Sequence, residues 1–264
     1  MDVTAFNREA WNKEAKAGGE WSIPVTSEAV TLAKQGQWSV ILTPLAKVPD
    51  AWFDGVKGKT ILGLASGGGQ QMPILAAAGG NITSFDNSDE QLAKDSQVAA
   101  AEGLSITTIQ GDMADLSVFA DAQFDLIFHP VSNCFVPDVN KVWQECFRVL
   151  KPGGRLLAAF MNPAMFMFDH DKAQANGKLE VEFAIPYSDL TASAERQADT
   201  IGKGHAVEFS HTLESQIGGQ MAAGFTLHGF YEDYWNDEAT LLNQFMPTAM
   251  ATLAIKPNTY KPNT

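Results

Sequence analysis

The sequence predicts an α/β protein with a doubly wound, mostly parallel sheet of seven strands. Three observations carry that expectation. From Lys59 onward, short apolar runs alternate with helical stretches, the pattern of repeated β-α-β units. Glycine clusters punctuate the changes of pattern, as at Gly67-Gly68-Gly69 and Gly153-Gly154. The chain has 264 residues, 45% of them hydrophobic and 19% charged, which is ample for a buried core in one large domain or two small ones.

Residues 1–58 form an N-terminal extension ahead of this pattern. Thr4 to Ala17 is expected to be helical, with Phe6 and Ala10 on one face and Gly18-Gly19 as the stop. Glu20 to Val25 is expected to be extended, because Pro24 disfavours helix just before it. A second helix runs from Ser27 to Lys34, and Pro44, Pro49 and Gly58 mark a loop leading inward.

Thr60 to Ala65 is the first strand, ending in Ser66-Gly67-Gly68-Gly69, and Gln70 to Ala78 is helical. Ile82 to Phe85 is the second strand. Ser88 is placed to cap a helix that Gly103 ends. Ile106 to Gln110 and Phe124 to Phe128 are the third and fourth strands. The helix Val139 to Leu150 leads through Lys151-Pro152-Gly153-Gly154 to the fifth strand, Arg155 to Phe160.

Residues 162–209 break the alternation and are expected to be an insertion, with Asp169-His170-Asp171 as a solvated loop rather than a metal site. A helix from Thr212 to Ala223 and strands near 226–235 and 250–256 complete the sheet. The end of the chain, Lys256 to Thr264, is expected to fray.

The formal net charge is −13 and the sequence pI about 4.7. Such a surface repels phosphate backbones and anionic membranes, so nucleic acid and membrane partners are not expected. The chain shows no apolar signal core and no uncharged apolar run of membrane-spanning length, which places it in the cytoplasm. Two cysteines do not make a disulfide framework or a metal cluster, and no metal is expected. Cys146 falls in a helical core pattern, whereas Cys134 sits in a turn-like stretch that could line a pocket.

The chemistry is expected at three successive strand ends. The first is the turn Ala65-Ser66-Gly67-Gly68-Gly69-Gln70, where glycines let backbone and ligand approach. The second is Asp86, with Asn87 and Gln91 following. It lies about 20 residues beyond the glycine turn, where a carboxylate can accept from ribose hydroxyls. The third is Gly111-Asp112-Met113, an acid that can accept from an exocyclic amine beside a side chain that can cover a ring. In an open α/β sheet these ends converge on one crevice, and together they describe an adenosine-shaped site.

With those motifs in view, the sequence resembles the class I S-adenosylmethionine-dependent methyltransferases. Within that group it is most similar to the small-molecule, ubiquinone/menaquinone type (methyltransferase type 11). The resemblance covers about residues 59–160 and rests on Ile61 to Gly69, Phe85-Asp86, Gly111-Asp112-Met113, Phe124 to Phe128 and Arg148 to Gly154. It implies a Rossmann-like fold with one antiparallel strand near the carboxyl end, S-adenosylmethionine as cofactor and a small-molecule acceptor. It also implies cofactor contacts from the His129-Pro130 loop. Gly63 stands where the family has an acidic residue, and Ala65 where it has glycine. Gln70, Gln71 or the extension are candidates to supply the missing polar contacts.

His129 is the candidate general base, with passive cofactor contact as its alternative. Trp11 and Trp21 in the extension, with Asn133 and Phe166, are the candidate acceptor contacts. The extension and the insertion are expected to cover the crevice and enclose a small, largely apolar or aromatic acceptor. Two rival functions stay open: an NAD(P)-dependent oxidoreductase, and a non-catalytic regulator that binds S-adenosylmethionine. The acceptor and the oligomeric state are not legible in the sequence.

Overall fold

A computed structural model describes residues 1–236 and 238–258. The extension contributes α1 (Val3–Ala17) and α2 (Ser27–Lys34). Asp2 caps the first by accepting from the Ala5 amide, and Thr26 caps the second by accepting from the Ala29 amide. The stretch expected to be extended at Glu20–Ser22 is a 3-10 turn. Here the Ser22 amide donates to the Gly19 carbonyl, a local bond that a strand would not make.

The core comprises β1 (Thr60–Leu64), α3 (Gln71–Ala77), β2 (Asn81–Asp86), α4 (Asp89–Glu102), β3 (Ile106–Gln110), β4 (Phe124–His129), α5 (Val139–Val149) and β5 (Leu150–Met161). The Lys-Pro-Gly-Gly run, expected as a turn, lies inside β5. Pairing slips there between Phe124 and Leu126, and Gly153 takes a positive φ of 77° as its amide donates to the Lys256 carbonyl. The insertion carries α6 (His170–Asn176) and α7 (Ala194–Thr200) among 3-10 turns. The expected helix at 212–223 is a π turn, Glu214–Gly218, running into α8 (Gly219–Ala223). The chain closes with β6 (Thr226–Asp233) and β7 (Ala249–Ile255), and the frayed end expected beyond them falls largely on 259–264, outside the described residues.

The seven strands pair in the order β3-β2-β1-β4-β5-β7-β6. β1 to β5 are parallel, and β7 runs antiparallel between β5 and β6. Strand alternation splits the core in two. Ile61, Leu126 and Phe128 face one layer with Val30, Phe53 and Leu75. Leu62, Leu64 and Ile127 face the other with Trp143, Cys146 and Val149. α5 buries Val139, Val142, Trp143, Cys146 and Val149, a single stripe at helical spacing.

Within the extension, Val30, Ala33, Val40, Trp52 and Phe53 belong to the first core layer. α1 packs instead across α4, with the turn at 20–22 beside it. No helix among the described residues is long and apolar enough to cross a membrane.

Candidate functional site

The strand ends meet at one cavity of about 360 Å³. β1 stops at Leu64, and Ala65 turns the chain with a positive φ of 49°. The glycine loop is then clamped from three sides. The Gly67 amide donates to Asp86 Oδ2 at 3.0 Å, the Gly68 amide to the Gln91 carbonyl at 3.0 Å and the Gly69 amide to Asp95 Oδ1 at 2.8 Å. A Cβ on Gly68 would stand 2.3 Å from the Trp21 carbonyl oxygen, so only glycine lets the extension lie this close.

Asp95 is a site residue that the sequence motifs do not reveal. It reaches from α4 under the loop, where Ser84 Oγ donates to its Oδ2 at 2.6 Å. Burial pushes its carboxyl up to about 7, against those two hydrogen bonds. It braces the loop from below in place of an acid at residue 63. That place is filled, since a Cβ on Gly63 would stand 2.1 Å from Met72 Sδ. Gln70 and Gln71 serve the extension: Gln70 Nε2 donates to the Glu20 and Ile23 carbonyls, and Gln71 Oε1 accepts from the Ile41 amide.

Asp86 ends β2 at the cavity, with Ser88 and Gly67 amides on its two oxygens. Burial raises its carboxyl pKa, and the amide bonds oppose that. Asp112 holds the Ala114 amide on Oδ1 and the Thr4 hydroxyl on Oδ2, at 2.9 and 2.8 Å. Asn87 is bonded to α1 in both directions, donating to the Thr4 carbonyl and accepting from Arg8 Nε.

Ala65, Ser66, Gly67, Gln70, Asp86, Asn87, Gln91, Gly111, Asp112, Met113 and Pro130 all line this cavity, as do Trp11, Trp21 and Phe166. Ser66 Oγ and Gln91 Oε1 are buried there without a protein hydrogen bond. Buried polar atoms without partners are uncommon; the polar groups that border the cavity at this end are the Asp86 and Asp112 carboxylates. The residues therefore fit a nucleoside with hydroxyl and amine groups.

Gly68, Gly69, His129 and Asn133 stand behind the lining. His129 is fully buried at the end of β4, edge-on to Trp143. Its Nδ1 donates to the Leu64 carbonyl at 2.9 Å, its Nε2 has no partner, and burial lowers its pKa to about 4. The ring is held neutral behind the cavity wall. The Asn133 amide is paired in both directions with Gln216 at 3.0 Å.

The far half of the cavity is built from residues that periodicity does not pick out: Met165, Phe168, Phe183, Tyr187, Arg196, Glu208 and Trp235. Cys134 also borders the cavity, its thiol pushed well up by burial. Asp169, expected in a solvated loop, instead caps α6 by accepting from the Lys172 amide. His170 is spent at both nitrogens, on the Met165 carbonyl and the Thr240 hydroxyl.

A family model described as a methyltransferase domain matches residues 62–158. An uncharacterised methyltransferase of Bacillus subtilis, YbaJ, is 45% identical over 96% of this chain and 98% of its own. Among solved structures, a Burkholderia thailandensis 1,6-didemethyltoxoflavin-N1-methyltransferase with bound 1,6-didemethyltoxoflavin and S-adenosylhomocysteine superposes with a TM-score of 0.59. It is 15% identical, and the likeness covers 96% of this chain and 88% of that one. An S-adenosylmethionine-dependent methyltransferase from Mesorhizobium loti gives 0.58 at 19% identity, over 78% and 94% of the two chains.

Proposed function

This chain belongs to the class I S-adenosylmethionine-dependent methyltransferases, and from that premise we propose that its cavity holds the cofactor at one end and a small, apolar or aromatic acceptor at the other. One observation carries the reading. The polar strand ends and an aromatic chamber belong to a single cavity, roofed by Trp11 and Trp21.

Asp86 holds the ribose hydroxyls on the acceptor capacity its amide bonds leave. Asp112 accepts from the adenine amine and Met113 covers the ring. The bound cofactor supplies an activated methyl group, so the protein's share is alignment and exclusion of water. Trp11 packs edge-on to Phe135 at 5.1 Å, and Trp21 lies 6.3 Å from Trp235, which ties the extension to both halves of the chamber. His129 is assigned a structural part, fixing the end of β4 against β1.

The acidic charge supports a small acceptor over a nucleic acid. Mass-spectrometric screening for a gain of one methyl group tests this. Small aromatic compounds should be methylated, while RNA and protein extracts should not. Methylation of a macromolecule alone would overturn the reading.

A further inference from the structure

We propose that Glu208 is the catalytic base of the acceptor chamber, and that the acceptor is a small aromatic molecule presenting a weakly acidic hydroxyl to it. This deepens, and rests on, the reading of residues 162–209 as the acceptor wall.

Glu208 is held by backbone bonds on every side. The Val207 amide and carbonyl are both clamped by the Asn7 side chain, at 2.7 and 3.0 Å. The Phe209 amide donates to the Cys134 carbonyl at 2.7 Å, which ties the segment to the loop after β4. The Glu208 amide donates to Asp189 Oδ2 at 2.8 Å, and the Asp189 amide donates back to the Glu208 carbonyl. Val207 and Phe209 are buried, and Glu208 between them borders the cavity. The segment bridges α1, the β4 loop and the insertion, the three parts that enclose the two halves of the cavity.

Of the other polar groups at this end, Arg196 keeps a buried Nε without a partner, and the rest are committed. Tyr187 donates to Asp189 Oδ1 at 2.6 Å, and Arg196 bonds the Tyr187 oxygen and pairs with Asp169 at 3.5 Å. His170 is bonded at both nitrogens, and the Cys134 thiol is held protonated by burial. Among the described residues, no side chain donates to the Glu208 carboxylate. Half-buried at the cavity, the carboxylate is left with room for a donor, and an aromatic hydroxyl would supply one. Burial and Asp189 raise the Glu208 carboxyl to about 7, while Arg196 opposes them. A base is most effective when its pKa lies near working pH.

The step balances as follows. The acceptor O–H bond breaks as the oxygen's electron pair forms the new bond to the methyl carbon. The proton passes to a Glu208 oxygen. The pair of the methyl–sulfur bond stays on the sulfur of the sulfonium donor, which leaves as a thioether.

The test uses 2-naphthol, which is un-ionised at neutral pH but becomes a strong acid when excited. Bulk water also takes the proton of the excited probe, so emission is read with all probe bound, where it reports whether a base touches the enclosed hydroxyl. It is titrated into the full chain saturated with S-adenosylhomocysteine. Wild type should emit chiefly from the long-wavelength naphtholate band. Glu208→Gln should bind 2-naphthol within about threefold and emit from the neutral band, with S-adenosylhomocysteine affinity retained as evidence of folding. If Glu208→Gln does not fold, Glu208→Met replaces it. Naphtholate emission equal in wild type and variant would overturn the role of Glu208. Wild type that binds S-adenosylhomocysteine but not 2-naphthol would overturn the acceptor class. A 2-naphthol affinity unchanged by Phe183→Ala would instead overturn the underlying assignment of the acceptor wall.

Discussion

The Thr4 hydroxyl donates to Asp112 Oδ2 at 2.8 Å, so the first turn of α1 is fastened to the carboxyl end of β3. The bond uses an oxygen that the proposed adenine contact also needs. Thr4→Val keeps the shape and removes the donor. S-adenosylhomocysteine should then bind about tenfold more tightly or better, the value of one hydrogen bond to a charged group no longer displaced. Calorimetry checks this, and weaker binding would mean that Thr4 shapes the site rather than competing for it.

Asp95 gives a pH signature. Its folded pKa is raised, so its contribution to stability is full below the ordinary carboxyl value of 3.8 and is lost as pH rises through about 7. Asp95→Asn retains an acceptor for the Gly69 amide and cannot ionise. In urea unfolding, wild type should lose stability relative to this variant between about pH 4 and pH 8. A difference that stays flat over that range would contradict a raised pKa.

His129 has the opposite sign for a base. Its folded pKa is depressed from 6.5 to about 4, so its contribution is present above 6.5 and is lost as pH falls toward 4. Relative to His129→Gln, wild type should lose stability on acidification through that window. S-adenosylhomocysteine affinity should stay within about threefold. A large affinity loss with unchanged stability would return His129 to the cavity wall.

Restoring the family's acid at residue 63 should harm the protein. Gly63→Asp places a side chain where Met72 Sδ lies 2.1 Å and Ser66 Oγ 2.5 Å from the new Cβ. Overpacking plus a buried carboxylate should cost about 3 kcal/mol or more. Unchanged denaturant midpoints would show that Met72 yields easily and that Asp95 is not the sole brace.

The strands were legible because their apolar runs are bounded by glycine turns: β3 occupies Ile106–Gln110 and α2 Ser27–Lys34 as expected. The strand-end half of the cavity was legible for a related reason, since Gly67, Asp86 and Asp112 sit at fixed places on successive strand ends. The aromatic half was legible only in outline, from the aromatic residues expected in the insertion. Arg196 and Glu208 lie in irregular segments brought in by backbone bonds such as Asn7 to Val207, which leave no local pattern. Asp95 was hidden because it sits inside a helix, where an acid ordinarily faces solvent. The burial of His129 was not legible, because it depends on Trp143 packing from α5 rather than on its place after a strand.

The most direct test is calorimetric titration of S-adenosylmethionine into wild type and Asp86→Ala. The account predicts one site per wild-type chain and affinity reduced about tenfold or more in the variant, with a lowered unfolding midpoint as well, since the Gly67 and Ser88 amides lose their acceptor along with the ligand. Equal affinity in the two proteins would remove Asp86 from the site and contradict the account.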